Sequence, residues 1–274
     1  MSMEADARGS NGRLLPLLKV IVACWKLNLA GALEYRLSFF LTAGMMFVNN
    51  IVWIFYWGVY FHRFQVVNGW TFEDVMMMWA IGAGGFGVAA VLFGNCFTLA
   101  GLIANGQLET FLVQPKPVLP HVLVSRMSVS AIGDVVFGLG LYGMFGQHSA
   151  GGLLKFGIGL LLATLLFICF NLLVQSLAFY MGNAEALGMQ LNMGFLTFAT
   201  YPTDIFRGAG KLLLFTLVPA GFISYIPIGL LKTVEWPFAF GLIGASLVLL
   251  TGSSVLFYRG LRHYSSGNQV TLRM

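Results

Sequence analysis

Asp134 is a carboxylate set inside the apolar run Ser128–Gly146. A charge at that depth in hydrocarbon is costly, and by default it marks a functional group. It follows Arg126 by eight residues, too far along a helix for an i, i+4 pair. It therefore reads as one of two things: a titratable group on a transport pathway, or a structural partner for Arg126 or a polar group on a neighbouring helix. Asn49 and Asn50 lie in the apolar run Leu37–His62, and Asn171 and Gln175 in Leu153–Tyr180. Their amides can hydrogen-bond between helices, or touch a substrate in a translocation pathway.

A second constellation is mechanical rather than chemical. In Gly101–Pro120, Gly106 can end one helix, and Leu108, Phe111 and Leu112 recur at i, i+3 and i+4, the spacing of an apolar helix stripe. Gln107, Glu109 and Gln114 fall off that stripe, and Pro115, Pro117 and Pro120 then stop the helix, since proline lacks the amide that a helix interior needs. The pattern predicts a short amphipathic helix on a membrane surface, offering the Glu109 carboxylate to something in water. An ordinary connecting loop with a solvated glutamate has the same composition.

Other chemistry is excluded by absence. No GxxxxGK[ST] phosphate loop occurs; Gly208-Ala-Gly-Lys211 is a fragment of one, so the chain holds no ATP through such a loop. His62, His121, His148 and His263 are dispersed and no carboxylate stands at ligand spacing, so no metal site is expected. There is no GxSxG nucleophile elbow. Cys24, Cys96 and Cys169 are scattered through apolar sequence, which reads as reduced small residues rather than a disulfide frame. An enzyme is not expected.

The elements that must position these groups are membrane helices. Of the 274 residues 58% are hydrophobic and only 9% charged, with mean hydropathy +0.83, against about 25% charged in soluble domains. Apolar runs of about 20 residues recur, as in an all-α polytopic membrane protein; the alternation of a β-barrel is missing. Net charge +5 reflects topology, not nucleic acid. The first twelve residues carry no signal-peptide core. Residues 13–36, interrupted by Lys19, Lys26, Glu34 and Arg36, read as an interfacial helix with its lysines toward anionic headgroups, or else as a poor span. Clear spans follow at Leu37–His62, Phe72–Cys96, Ser128–Gly146, Leu153–Tyr180, Leu187–Tyr201 and Pro237–Tyr258. Glycines inside them, such as Gly84, Gly87, Gly133 and Gly138, let helices approach closely.

Leu212–Leu231 is long enough to be a seventh span, but Pro219, Gly221, Pro227 and Gly229 interrupt it. Basic residues decide the count. Arg8, Arg13, Lys19, Lys26 and Arg36 precede the first span and Arg259, Arg262 and Arg273 follow the last. Both ends are then cytoplasmic by the positive-inside rule, which requires an even number of crossings. Six crossings put Lys116 and Arg126 inside and Arg63, Lys155, Arg207, Lys211 and Lys232 outside. Residues 202–235 become short outer-face helices that dip into the membrane and return. The 101–120 segment becomes cytoplasmic, and residues 1–274 form a single domain.

The arrangement Gly101…Gly106-Gln107-Leu108-Glu109…Leu112…Pro115-x-Pro117, with Arg126 and Gly133-Asp134 after it, resembles the ABC-2-type permeases of ATP-binding-cassette exporters. Tyr201-Pro202-x-x-Ile205-Phe206-x-Gly208, followed by Pro219-x-x-Phe222-Ile223-x-Tyr225-x-Pro227, is similar to the viologen and drug-exporter subgroup. The resemblance runs from the interfacial helix to Arg259. It implies a six-span permease with no catalytic residues, lying in the bacterial inner membrane and paired with a second permease, identical or paralogous. Gln107–Gln114 would be the coupling helix, with Glu109 docking on one of two ATPase subunits. ATP and magnesium would be bound by those subunits and no cofactor by this chain. The cargo would be amphiphilic or drug-like. The competing expectation is an ion- or proton-coupled secondary transporter, for which Asp134 is the only titratable candidate.

Overall fold

The computed structural model describes residues 3–181, 184–216, 218–224, 229 and 236–264, and omits the side chains of 3–15, 236–239 and 242. The side chains of Arg8 and Arg13, the basic residues Lys232 and Arg273, and the Tyr225 and Pro227 positions of the outer-face segment lie outside the described residues. Among the described residues no strand forms; one isolated antiparallel bridge joins Val67 to Trp70.

Among the described residues, twelve helices can be labelled in chain order: α1 Met3–Glu34, α2 Arg36–Arg63, α3 Phe72–Leu92, α4 Leu99–Ala104, α5 Glu109–Leu112, α6 Val118–Val124, α7 Ala131–Phe145, α8 Ala150–Gln175, α9 Ala184–Ala199, α10 Ala209–Thr216, α11 Gly221–Ser224 and α12 Trp236–His263. Among the described residues, five stretches are long and apolar enough to cross a membrane: Pro16–Glu34 in α1, Arg36–Arg63, Phe72–Leu92, Ala150–Phe179 and Ile243–His263. The chain is a multi-pass, all-α membrane protein.

The bundle is built around α3. Its start is fixed by a capping box, in which the Thr71 hydroxyl accepts from Asp74 N–H and Asp74 accepts from Thr71 N–H, satisfying two amides that have no partner within the helix. Its small residues let α7 and α8 close on two sides. A Cβ on Gly138 of α7 would come 2.7 Å from Ala80 O and 2.8 Å from Gly84 Cα; a Cβ on Gly85 would come 2.8 Å from Ala163 Cβ on α8. Such backbone contact is available only to glycine, and it makes α3 and α7 one packed body.

Two helices at expected spans are short for a membrane: α7 falls inside the expected Ser128–Gly146, while α9 is as long as the Leu187–Tyr201 expected for it. α7 has 15 residues and α9 has 16, about 22 and 24 Å at 1.5 Å per residue, against hydrocarbon of about 30 Å. Hydropathy marks apolar length, whereas helix requires a satisfied ladder, and residues before α7 find another one. Gly94 N–H donates to Arg126 O at 3.1 Å and Ser128 N–H to Ala90 O at 3.0 Å. Extended chain therefore continues α7 along the end of α3. At the far end the Phe72 and Phe145 rings meet edge-on at 5.6 Å, so 126–145 runs the full length of α3.

The two ends of the bundle are distinct. At the hairpin end, Asn68 and Gly69 take positive φ of 49° and 83°, as a tight Asn-Gly turn requires. Asp204 fastens this turn to the segment before α10: its carboxylate accepts from Trp70 Nε1 at 3.0 Å and from Lys211 Nζ at 2.6 Å. Within the segment 202–235, α10 and α11 form; residues 217, 225–228 and 230–235 of that expectation lie outside the described residues. The connector end carries residues 93–125 and the last turn of α12, and α1 bonds there through Trp25 and Asn28. The described part of α1 and the end of α12 thus meet the same end of the bundle.

Candidate functional site

Residues 93–125 fold as a 3₁₀ turn at Gly94–Phe97, then α4, α5 and α6. α4 ends at Ala104, and Gly106 two residues on takes a φ of +71°, which suits a residue without a Cβ. Gln107 N–H reaches back to Leu102 O at 3.0 Å and Gly106 N–H to Ile103 O at 3.3 Å, the paired bonds that close a helix on a left-handed glycine. The chain turns there and presents α5.

α5 is a single turn, Glu109–Leu112, shorter than the expected helix. Pro115 stands three residues past its end. Pro117 stands at the N-cap of α6, with φ −57° and ψ 119°, and Pro120 falls inside the first turn of α6. That corrects the expectation that all three prolines only stop a helix: in a first turn the missing amide costs nothing. The apolar stripe also divides. Leu108 is 0% exposed, Phe111 half-buried and Leu112 38% exposed, with Val113 beside it at 83%. Gln107, Glu109, Thr110 and Pro115 are exposed. The solvent side of the turn therefore carries one carboxylate beside two aliphatic side chains.

The buried side of the turn joins four elements. Leu108 lies in one apolar cluster with Cys96, Ile103, Leu123, Leu172 of α8 and Phe257 of α12. Gln175 of α8 grips the start of α4 twice: its Oε1 accepts from Ala100 N–H at 2.9 Å and its Nε2 donates to Phe97 O at 3.0 Å. Tyr264, just past α12, packs edge-on against Phe179 at 6.1 Å. Burial first, and then the carboxylate of Glu109, push the Tyr264 phenol above its ordinary value of 10. The Phe111 ring meets His121 edge-on at 5.2 Å, and burial followed by Lys116 pulls that imidazole below its ordinary 6.5.

A family model described as an ABC-2 family transporter protein matches residues 47–267, which contain the whole connector. The chain belongs to the ABC-2 family of transporters. It is accordingly a membrane permease of an ATP-binding-cassette transporter, a family whose members associate with an ATP-binding-cassette subunit. No curated protein and no solved structure matches the chain.

The intramembrane polar residues of this permease do not form one site. Asn50 Nδ2 donates to Asp134 Oδ1 at 2.7 Å, where Gly133 brings α7 against the α2 backbone at Ala43 and Phe47. Asp134 is 3% exposed and sits in the first turn of α7, where a helix favours negative charge. Arg126 turns away from it, donating to Thr98 Oγ1 at 3.4 Å. Asn171 is buried and donates within its own helix, to Phe167 O at 2.9 Å. Asn49 is exposed on α2. Among the described residues no group of three or more metal-ligating side chains occurs.

Sequence reasoning missed the grip of Gln175 on α4 and the approach of Tyr264 to Glu109, because both join positions far apart in the chain. It also missed two bonds from α1. Trp25 Nε1 donates to Leu92 O at 2.7 Å, and Asn28 Nδ2 to Val124 O at 3.0 Å. One signal was legible: Asn28 follows Cys24 by four residues and Trp25 by three, so it shares their helix face.

Proposed function

We propose that this permease works in an exporter driven by ATP hydrolysis in a separate subunit, which docks on the α5 turn. The observation that carries the reading is the division of that turn. Glu109, Leu112 and Val113 face solvent, while Leu108, at the start of the same turn, lies in one apolar cluster with residues of α4, α6, α8 and α12. Force applied to the exposed side is delivered through Leu108 to several helices at once. A well-packed interior resists compression, so those helices respond by tilting rather than by absorbing the push. The glycine contacts of α3 and α7 make them move together.

In this reading α2, α3, α7, α8, α9 and α12 are six crossings and α1 is interfacial. The connector end and both termini face the cytoplasm, in the plasma membrane. Glu109 meets a cationic side chain in a groove of the ATPase subunit, and Leu112 and Val113 supply the apolar contact. Two such ATPase subunits hold ATP and magnesium, and a second permease completes the pathway. The aromatic, weakly charged bundle suits an amphiphilic or drug-like cargo. The test is copurification in mild detergent with an ATP-binding-cassette subunit: wild type retains it, and Glu109→Lys with Leu112→Asp loses it and loses ATP-driven transport. Retention with full coupling in that variant would contradict the reading.

One observation favours a second reading, an ion- or proton-coupled carrier. Asp134 Oδ2 is buried and has no hydrogen-bond partner among the described residues, as a proton-carrying carboxylate would be. Transport that stops when ion gradients are collapsed while ATP stays high would favour that carrier.

A further inference from the structure

The bonds from α1 give the connector a second input besides the ATPase. Among the described side chains, Leu17, Val20, Ile21, Cys24, Trp25, Asn28 and Ala32 are the half-buried positions of this helix and form one stripe against the rest of the protein. Lys19 and Lys26, seven residues apart, are exposed and at 100° per residue point almost directly away from that stripe. Leu18, Val22, Leu29 and Leu33 flank them and are exposed as well. Among the described residues the one ion pair joins Lys211 to Asp204, so neither lysine is neutralised by the protein there. A helix crossing the bilayer in this orientation would hold two ammonium groups in hydrocarbon with no bundle interior to face. Lying in the interface, the same helix buries its leucines and sets both lysines among headgroups.

The stripe bonds at two places, and these are the two ends of the connector. Leu92 O closes α3, immediately before residues 93–125, and Val124 O closes α6, at their end. Carbonyls in a last helical turn lack partners within the helix, which is why side chains of α1 can hold them. The Trp25 ring also meets Phe93 edge-on at 6.0 Å.

We infer that α1 docks on anionic lipid headgroups through Lys19 and Lys26, and that its Trp25–Leu92 and Asn28–Val124 bonds carry this engagement to both ends of the coupling segment. Membrane charge then sets how firmly that segment is held, and so how fully a push on α5 reaches the bundle. The docking rests on the geometry of α1 alone; the transmission rests on the proposed exporter reading, so the two are tested in separate arms.

The first arm uses the purified full-length permease without any ATPase, in nanodiscs of phosphatidylcholine or of phosphatidylcholine with phosphatidylglycerol. An environment-sensitive fluorophore is placed at Leu29→Cys in a background lacking the native cysteines. Emission is expected to shift to the blue in the anionic discs. The shift should vanish in Lys19→Gln/Lys26→Gln and in about 1 M salt, where charge interactions are screened within about 3 Å. Each lysine near an anionic surface contributes about a fivefold preference. Equal emission in both lipids, or an undiminished shift in the double variant, overturns the docking. The second arm reconstitutes the permease with its ATPase in the same two lipids. Wild-type transport should rise several-fold in anionic vesicles. Trp25→Phe/Asn28→Leu should keep the emission shift and lose the rise. A rise as large as wild type in that variant, or no rise in wild type, overturns the transmission. A complex inactive in both lipids overturns the exporter reading and the transmission with it, while the emission shift still decides the docking.

Discussion

Gln175 on α8 holds Ala100 at the start of α4 through a 2.9 Å bond from the Ala100 amide to its Oε1, and closes the loop with its own Nε2 on Phe97 O. The two residues are 75 positions apart. Through this contact the connector that follows α3 and α8, a later traverse of the bundle, act as one unit. A displacement of the α5 turn reaches α8 without passing along α7.

Leu108 is the part of the turn through which that displacement passes. Leu108→Ala removes a fully buried side chain, and such changes cost about 2–5 kcal/mol in a packed site. A lowered Tm of the purified permease is expected, together with loss of transport at retained ATPase binding. Leu112→Ala, at an exposed position, should leave Tm unchanged. Thermal unfolding of the two variants in the same detergent makes the comparison.

The backbone contact of α3 with α7 predicts a sharp difference between neighbouring glycines. Gly138→Ala would set a methyl 2.7 Å from Ala80 O, whereas Gly140 has nothing within 4 Å of an added Cβ. Gly138→Ala should reduce the fraction of protein recovered as a single species by size exclusion, and Gly140→Ala should not.

Asp134 separates the ATP-driven reading from the gradient-driven one. If its role is to accept from Asn50, Asp134→Asn keeps a hydrogen-bonding side chain of the same size, and transport persists at a rate near wild type. A proton carrier cannot survive that change. Transport by Asp134→Asn in vesicles, with and without a protonophore, decides the matter.

His121 predicts how the connector responds to pH. Its folded-state value lies below 6.5 because burial, and then Lys116, disfavour the charged ring. As pH falls through about 6.5 the unfolded chain takes up a proton that the folded chain refuses, so stability is lost on acidification and is unaffected above that range. The loss ends once pH is below the folded-state value. Comparing Tm at about pH 7.5 and about pH 5.5 should show a drop that shrinks in His121→Gln.

Much of this architecture was legible because hydropathy and turn chemistry act locally. Gly106 was expected to end a helix, and it does so with the left-handed φ that its lack of a Cβ permits. Spans at α2, α3, α8 and α12 follow from apolar length. The remainder depends on partners distant in sequence. The partner of Asp134 is Asn50 rather than Arg126, because Gly133 lets the α2 backbone approach closely. The start of α7 lies later than hydropathy indicates, because residues 126–128 bond to the end of α3. Leu112 matches the apolar spacing of Leu108 yet faces outward, since a single helical turn has no second turn to define a face.

The central claim is that the α5 turn is a handle on the cytoplasmic side, and Thr110 is its exposed middle. In a background without native cysteines, Thr110→Cys should resist a membrane-impermeant thiol reagent in intact cells and react in inverted vesicles. Labelling in intact cells would put the handle outside, beyond the reach of any cytoplasmic ATPase, and would contradict the account.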